Sequence, residues 1–528
     1  MLRPRARITF ASALVVACLP LLYADAQTSA AAQASASTAE GLTVAQVLTN
    51  VRRATGYERL KQLPRGFVVE ETEGRGGRTL WLGARGEFRQ EAKPTDNRPL
   101  GFDGRFAWQV DRTGLPAPMP QRLREKLLLP AWFRSGWWLD ERAPLVFALL
   151  PAETDDKQVA LSMRFTRGLV GAQVYVDRAT WLPAKLVVEY ERGPFTVTPH
   201  DYQEALGAQL PRRLVTNYRG SDSEVRVTSI ELIPATNANA FAVAPLPADT
   251  TFDNTRPAEL QVAQGAPFEG GAPGHYYVRP LVDGRDVGWF HFDTGADAMQ
   301  IDARLADELK LPVLGKSQTR GADGRVQEVT IRQGQTFQLG RVTIKNPIFL
   351  ASDLSDKNAP PGTKRAGYVG YPVLARTVIE VEGGGARIAL YDPATYRLKR
   401  GKWQELSYID LTPAVEARLE GDRRGLFQLD TGYVGTVTFY DKFIKDERLL
   451  EGREVKEETD TGAGGSYKVA TGTIEWFELA GHRFARPRAI FRVSGLSREG
   501  GAGVVGREFL SVFKIVFNYP ERRIAFVR

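Results

Sequence analysis

The sequence predicts a mainly β protein in which two similar β lobes fill the C-terminal half, preceded by a curved β-sheet or open-barrel domain with a helix. Three observations carry this. Short apolar runs of strand length recur through both halves, a break rich in Ala, Pro, Asn and Gly separates the halves, and one short motif with a distant glycine segment occurs twice at nearly the same spacing.

The 528 residues are 43% hydrophobic and 25% charged, which suits a globular chain with enough length for two or three domains. The net charge of +8 is spread thinly. Without a run of Lys and Arg interleaved with aromatics, nucleic acid is not an expected partner. Residues 1–26 read as a secretion signal: Arg3, Arg5 and Arg7 precede an apolar stretch from Ile8 to Tyr23, and Ala24-Asp25-Ala26 forms a small-x-small cleavage site. Val15-Val16-Ala17-Cys18 also resembles a bacterial lipobox, which would place a lipid on Cys18. Leu19-Pro20-Leu21-Leu22 continues the apolar run there and sets this reading second. Both readings export the protein, to the periplasm or beyond. Cys18 is the only cysteine, so a processed chain has no disulfide, cysteine nucleophile or thiolate metal site.

Residues 27–40, rich in Ala, Ser, Gln and Thr, read as a flexible tether. Order begins near Leu42, where Val44, Val47, Leu48 and Val51 recur at helical spacing. Runs such as Phe67-Val68-Val69-Glu70, Arg105 to Val110 and Ala184 to Glu189 then predict strands up to about Ile233, giving a β-rich domain over 41–233. The leading helix, Gly101-Phe102-Asp103-Gly104-Arg105-Phe106-Ala107-Trp108, Val176-Asp177 with Leu182-Pro183, and Leu210-Pro211 together resemble the periplasmic lipoprotein-carrier fold, an open β-barrel holding a helix. That resemblance implies contact with lipid or the envelope through this domain. A generic curved sheet, turning at its Asp-Gly and Leu-Pro points, is the equal alternative.

Residues 234–274 read as a linker. Lobe 1 is expected over 275–392 and lobe 2 over 393–528. His275 to Val282 and Arg285 to Phe292 predict a hairpin turning at Asp283-Gly284. The second strand runs into Asp293-Thr294-Gly295-Ala296, and Leu426 to Leu429 runs into Asp430-Thr431-Gly432-Tyr433. Tyr368-Val369-Gly370 follows Asp293 by 77 positions, and Val504-Val505-Gly506 follows Asp430 by 76. Phe290 and Phe427 stand in the same relation to the two aspartates, as do Leu374 and Leu510 to the two glycines. The chain repeats itself.

These residues resemble the aspartic proteases, over roughly His275 to Arg528, and most closely bacterial retropepsin-like enzymes with both lobes fused in one chain. The resemblance implies the two-lobed aspartic-protease β fold, with Asp293 and Asp430 as catalytic carboxylates of an aspartic endopeptidase. It implies that Thr294 and Thr431 brace the loops and that Gly295 and Gly432 let a peptide or protein substrate approach. Two carboxylates in one small space cannot both ionise, so one keeps a proton while the other activates a water. No cofactor or metal is required. Where the family has a small residue this chain has Tyr433, which leaves the geometry of the second loop open. Strand alternation puts His291 on the side of Asp293 and Gln428 on the side of Asp430, as candidates to line the substrate site.

A third Asp-Thr-Gly, at Asp460, follows Lys456-Glu457-Glu458-Thr459, too polar for the buried strand such a loop needs. With Gly464 and Gly465 it fits a hairpin tip, as do Gly321 and Gly324 in lobe 1, and both tips are expected as flaps or as ordinary turns. The four histidines show no His-Glu-x-x-His spacing, so a zinc hydrolase has no support. The competing functions are a catalytically silent peptide- or lipid-binding envelope protein of the same fold, favoured by Tyr433, and a glycosidase, which needs no matched loops.

Overall fold

The computed structural model describes residues 41–527 except 94–97, 112, 152–156, 167, 266–273, 321–325, 355–359, 361, 384–386, 463–464, 494–497 and 499. The expected signal, the tether, Cys18, and Gly321, Gly324 and Gly464 lie outside the described residues. Among those described, no helix is long and apolar enough to cross a membrane.

The first helix is Val44–Thr55, started by a reciprocal Thr43–Gln46 capping box and stopped at Gly56, whose φ of 70° suits glycine. Thirteen antiparallel strands follow in one sheet, made of two meanders joined where Gly66–Glu73 pairs with Ser221–Leu232. The connection between the meanders holds another long helix, Gln121–Ser135, which the β pattern concealed. Its Pro130 and its lack of one apolar stripe explain why, since Leu128, Leu129, Trp132 and Phe133 bury it on more than one side. The helix Val44–Thr55 touches Ala208–Tyr218 and Leu145–Leu149, and the helix Gln121–Ser135 touches Gly76–Gly83 and Pro183–Val188. These strands are far apart in the sheet order, so the sheet curls around both helices. Val47, Val51, Leu129, Leu161, Val174 and Leu186 share this domain's core.

The C-terminal half is mainly β, as expected, and it is duplicated. In lobe 1, Trp289–Phe292 runs parallel to Arg365–Val369, with Phe292 opposite Val369. In lobe 2, Arg423–Leu429 runs parallel to Gly503–Val505, with Leu429 opposite Val505. Each lobe also carries a long hairpin, Val313–Arg320 with Val326–Gln333 and Val455–Gly462 with Gly465–Thr473. A five-stranded sheet joins the lobes, because Val378–Glu382 pairs with Lys514–Asn518. One apolar cluster runs through both lobes and includes Phe290, Phe292, Phe349, Phe427, Phe439 and Phe517. Each such ring contributes about 1.5–3 kcal/mol by leaving water.

One expectation needs correction. The stretch read as a linker supplies Thr250–Phe252, paired with Val342–Lys345, and Val262–Gln264, paired with Tyr276–Val278, so part of it is built into lobe 1. Three-residue edge strands leave no periodicity to read. The expected hairpin forms: Tyr277 pairs with His291 and Val282 with Arg285 around a tight turn with φ of 49° at Asp283 and 75° at Gly284, and its two arms pass together from one sheet to another.

Candidate active site

The parallel strand pairs end where the lobes meet, and each delivers one Asp-Thr-Gly loop. The Asp293 amide donates to the Val369 carbonyl and the Asp430 amide to the Val505 carbonyl, both at 3.1 Å. Apolar strand residues are what bring the loops there, since Phe292, Val369, Leu429 and Val505 are all fully buried. The threonines then cross-link the loops. The Thr294 amide donates to Thr431 Oγ1 at 3.0 Å, and the Thr431 amide to Thr294 Oγ1 at 2.9 Å. Thr294 Oγ1 donates to the Leu429 carbonyl at 2.7 Å, and Thr431 Oγ1 to the Phe292 carbonyl at 3.3 Å. All four bonds are buried, so losing one strands a polar group without water.

Close approach of backbone and carboxylate sets the centre of the site. A Cβ on Gly295 would lie 2.6 Å from the Asp430 carboxylate, and one on Gly432 would lie 2.5 Å from that of Asp293. Each glycine therefore makes room for the opposite carboxyl group, and the two carboxyls reach hydrogen-bonding range of each other. Gly295 donates to Asp293 Oδ1 and Gly432 to Asp430 Oδ1, both at 2.7 Å. The Tyr433 amide adds a further bond to Asp430 Oδ1 at 3.1 Å.

Burial, and after it the Asp430 charge, holds Asp293 well above the usual carboxylate range. Burial also raises Asp430, but the amides of Gly432 and Tyr433 and the Asp293 carboxyl pull against it. The extra amide favours the charged form at Asp430.

The second loop, whose geometry Tyr433 left open, keeps the plan of the first. The Ala296 amide donates to the Asp293 carbonyl at 3.3 Å, and the Tyr433 amide to the Asp430 carbonyl at 3.2 Å. The Tyr433 hydroxyl turns away to Thr438, 2.7 Å off.

His291 and Gln428 do not line an open surface, which corrects their expected place. His291 is 3% exposed and packed among the rings of His275, Tyr277 and Tyr368, with no hydrogen-bond partner on either nitrogen among the described residues. Burial first, then the charges of His275, Arg365 and Arg507, keep it neutral far below the usual histidine range. Gln428 donates to the Ile409 carbonyl at 3.2 Å and accepts from the Tyr440 hydroxyl, so its amide is engaged inside the lobe. Alternation along the strands carries no information on burial, which is what decides their place. Gly465 opens the second arm of the lobe 2 hairpin, opposite Gly462.

Other groups near the centre were not singled out by the sequence. Asp297, one residue past Ala296, reaches solvent, yet the protein around its carboxyl pushes it up to about 6, with Arg498 opposing and Asp410 and Asp430 adding repulsion. Arg498 pairs with Asp410 at 2.5 Å. Tyr519 is 4% exposed, its hydroxyl has no hydrogen-bond partner among the described residues, and its pKa is raised by burial and by the charges of Tyr371 and both aspartates. Among the described residues no group of three or more His, Cys, Asp or Glu side chains is placed to hold a metal ion.

Fold and site define a two-lobed β protein with one carboxyl group per lobe in mutual contact. Residues 278–373 match the family model described as Aspartyl protease. The C-terminal part of the chain thus contains an aspartyl protease domain, and the match takes in Asp293 and Gly370 but stops before lobe 2. An aspartic proteinase from Irpex lacteus is similar in structure at 12% identity and a TM-score of 0.32, over 48% of this chain and 94% of that one. A LolA superfamily protein from Nitrosomonas europaea is similar at 12% identity and a TM-score of 0.27, over 35% of this chain and 96% of that one. No curated protein matches the sequence.

Proposed function

We propose that the protein is an aspartic endopeptidase that hydrolyses peptide bonds through a water held between Asp293 and Asp430. The observation that carries this reading is the reciprocal packing of each carboxyl group against the other loop's glycine. In the working state one proton is shared. The Asp430 carboxylate takes a proton from the water as its oxygen attacks the peptide carbonyl, and protonated Asp293 hydrogen-bonds the carbonyl oxygen. Collapse of the tetrahedral intermediate returns a proton to the leaving amine, so no covalent enzyme intermediate forms. The crossed threonines keep both loops in register for this, and the two long hairpins would serve as flaps over a bound peptide. The alternative of a silent binding protein rested on Tyr433, and that residue's amide supports Asp430 while its side chain points elsewhere.

The charged leader motivates a site of action outside the cytoplasm, with peptide or protein as substrate. Incubation of the exported chain with a mixed peptide library tests the reading. Cleavage stopped by a statine-type transition-state inhibitor supports it, and absence of cleavage from acidic to neutral pH sinks it.

The pH optimum follows from the same groups. Ala296 offers no hydroxyl to stabilise the ionised form, and both carboxyls are raised, so the singly protonated pair is populated above the ordinary carboxylate range. A mildly acidic optimum is expected, and His291, held neutral, adds no limb of its own. A pH-rate profile peaking below about pH 3 contradicts this.

A further inference from the structure

The segment 103–118 belongs by hydrogen bonding to the N-terminal sheet, where Trp108 pairs with Pro118 and Val110 with Pro116. By packing it belongs elsewhere. Leu115, fully buried, and Ala117, 5% exposed, lie in the apolar cluster of the two lobes and not in the N-terminal core. Hydrogen bonds of Asp111 hold Leu115 in place: Asp111 Oδ1 accepts from the amides of Thr113 and Leu115, at 2.7 and 3.0 Å, and the Asp111 amide donates to the Leu115 carbonyl at 2.8 Å. Around this turn, Asp103 pairs with Arg522 at 2.9 Å, and Phe106 packs on Tyr408 at 5.9 Å between ring centres.

The residue these contacts converge on is Tyr371, which directly follows Gly370. Its amide donates to the Ala296 carbonyl at 2.9 Å, holding the end of the Asp293 loop. Its buried hydroxyl donates to the Pro116 carbonyl at 3.2 Å, in the N-terminal domain. Its ring meets Tyr408 and Tyr519 at 6.4 and 6.1 Å. Lobe 2 has Arg507 at the same place after Gly506. The Arg507 amide holds the second loop through the Tyr433 carbonyl at 2.8 Å, but its side chain stays inside the protease, 3.6 Å over the Tyr276 ring. One loop is anchored within the lobes and the other leans on the N-terminal domain.

We propose that the N-terminal domain clamps the Asp293 loop through Leu115, Pro116 and Tyr371, so that Tyr371 is a positioning residue for the reaction. The proposal rests on the reading of Asp293 and Asp430 as the catalytic pair. It makes the domain a working part of the enzyme, and it gives any ligand that shifts the 103–118 turn a route to one loop only. A difference of about 1 Å in the position of a reacting group is enough to cost about 100-fold in rate.

The test uses the full chain with Leu115→Ala, which opens a void in the apolar cluster that also holds Tyr371, and Tyr371→Phe, which removes only the bond to Pro116. Hydrogen exchange is read at two amides, those of Tyr371 and Arg507, with the second as internal control. The expected result for Leu115→Ala is exchange about tenfold faster at Tyr371 and within about twofold of wild type at Arg507, with a smaller shift of the same pattern in Tyr371→Phe. On a cleaved peptide, kcat falls while KM stays within about twofold, as for a group that acts on the reacting geometry. Equal acceleration at both amides means general loosening and overturns the proposal, as does no change at either. Should Leu115→Ala fail to fold, Tyr371→Phe decides alone by the same two amides. Exchange needs no turnover, so a wild-type chain that cleaves nothing would end the protease reading while the clamp is still judged by exchange.

Discussion

The Asp293 and Asp430 loops share one backbone plan and differ in what surrounds it. Each takes a strand carbonyl behind it, a glycine amide on its own carboxyl and a crossed threonine from its partner. Around Asp293 stand Ala296, a buried histidine pair, and Tyr371 tied to another domain. Around Asp430 stand the additional Tyr433 amide and Arg507, enclosed by the lobes. The difference teaches that duplication supplies the position of two carboxyls, while unmatched neighbours make the two unequal.

The largest expected effect tests that division. Asp293→Asn and Asp430→Asn should each lower turnover by about 1,000-fold or more, because either removes the shared-proton arrangement. Their thermal stabilities should differ. Asparagine mimics the protonated acid, so Asp293→Asn should be at least as stable as wild type, and Asp430→Asn should fall below it by losing the charge that two amides face. Melting curves in the reverse order would break the assignment of the proton.

A smaller effect separates the threonines. Thr294→Val removes the 2.7 Å bond to the Leu429 carbonyl and the acceptor of the Thr431 amide, and about 2–3 kcal/mol of stability is expected to go with them. Thr431→Val gives up a longer bond, 3.3 Å to the Phe292 carbonyl, and should cost about 1 kcal/mol less. Equal losses by denaturant titration would mean that the cross-link is symmetric after all. The smallest effect belongs to Asp460→Asn. Residue 460 lies within the hairpin strand Val455–Gly462, opposite Tyr467, far along the chain from either parallel strand pair. Turnover should stay within about threefold of wild type.

Much of this was legible beforehand. The repeated Asp-Thr-Gly and apolar-apolar-Gly segments encode parallel strand pairs whose apolar residues must be buried, and those pairs are what the structure contains. The polar run before Asp460 correctly argued against a third loop, since its strand forms a hairpin arm. Less legible were features that depend on contacts distant in sequence. The edge strands Thr250–Phe252 and Val262–Gln264 exist because lobe 1 offers partners, and nothing in their own residues signals it. The burial of His291 and Gln428 depends on Tyr277, Tyr368 and Tyr440 from other parts of the chain. Tyr371 and Arg507 were within reach of the sequence, because both follow the repeated glycine and one lobe puts a charge where the other puts a ring.

The central claim is that two carboxyl groups act as one unit, and the Asp293→Asn, Asp430→Asn double variant tests it most directly. Its turnover on a peptide that the wild type cleaves is measured beside that of each single variant, with folding checked by near-UV circular dichroism. The account predicts that the double variant is no slower than the slower single variant, since the first substitution already abolishes the shared proton. Losses that multiply, each substitution taking its own factor from the other's background, would show two independent groups and contradict the paired site.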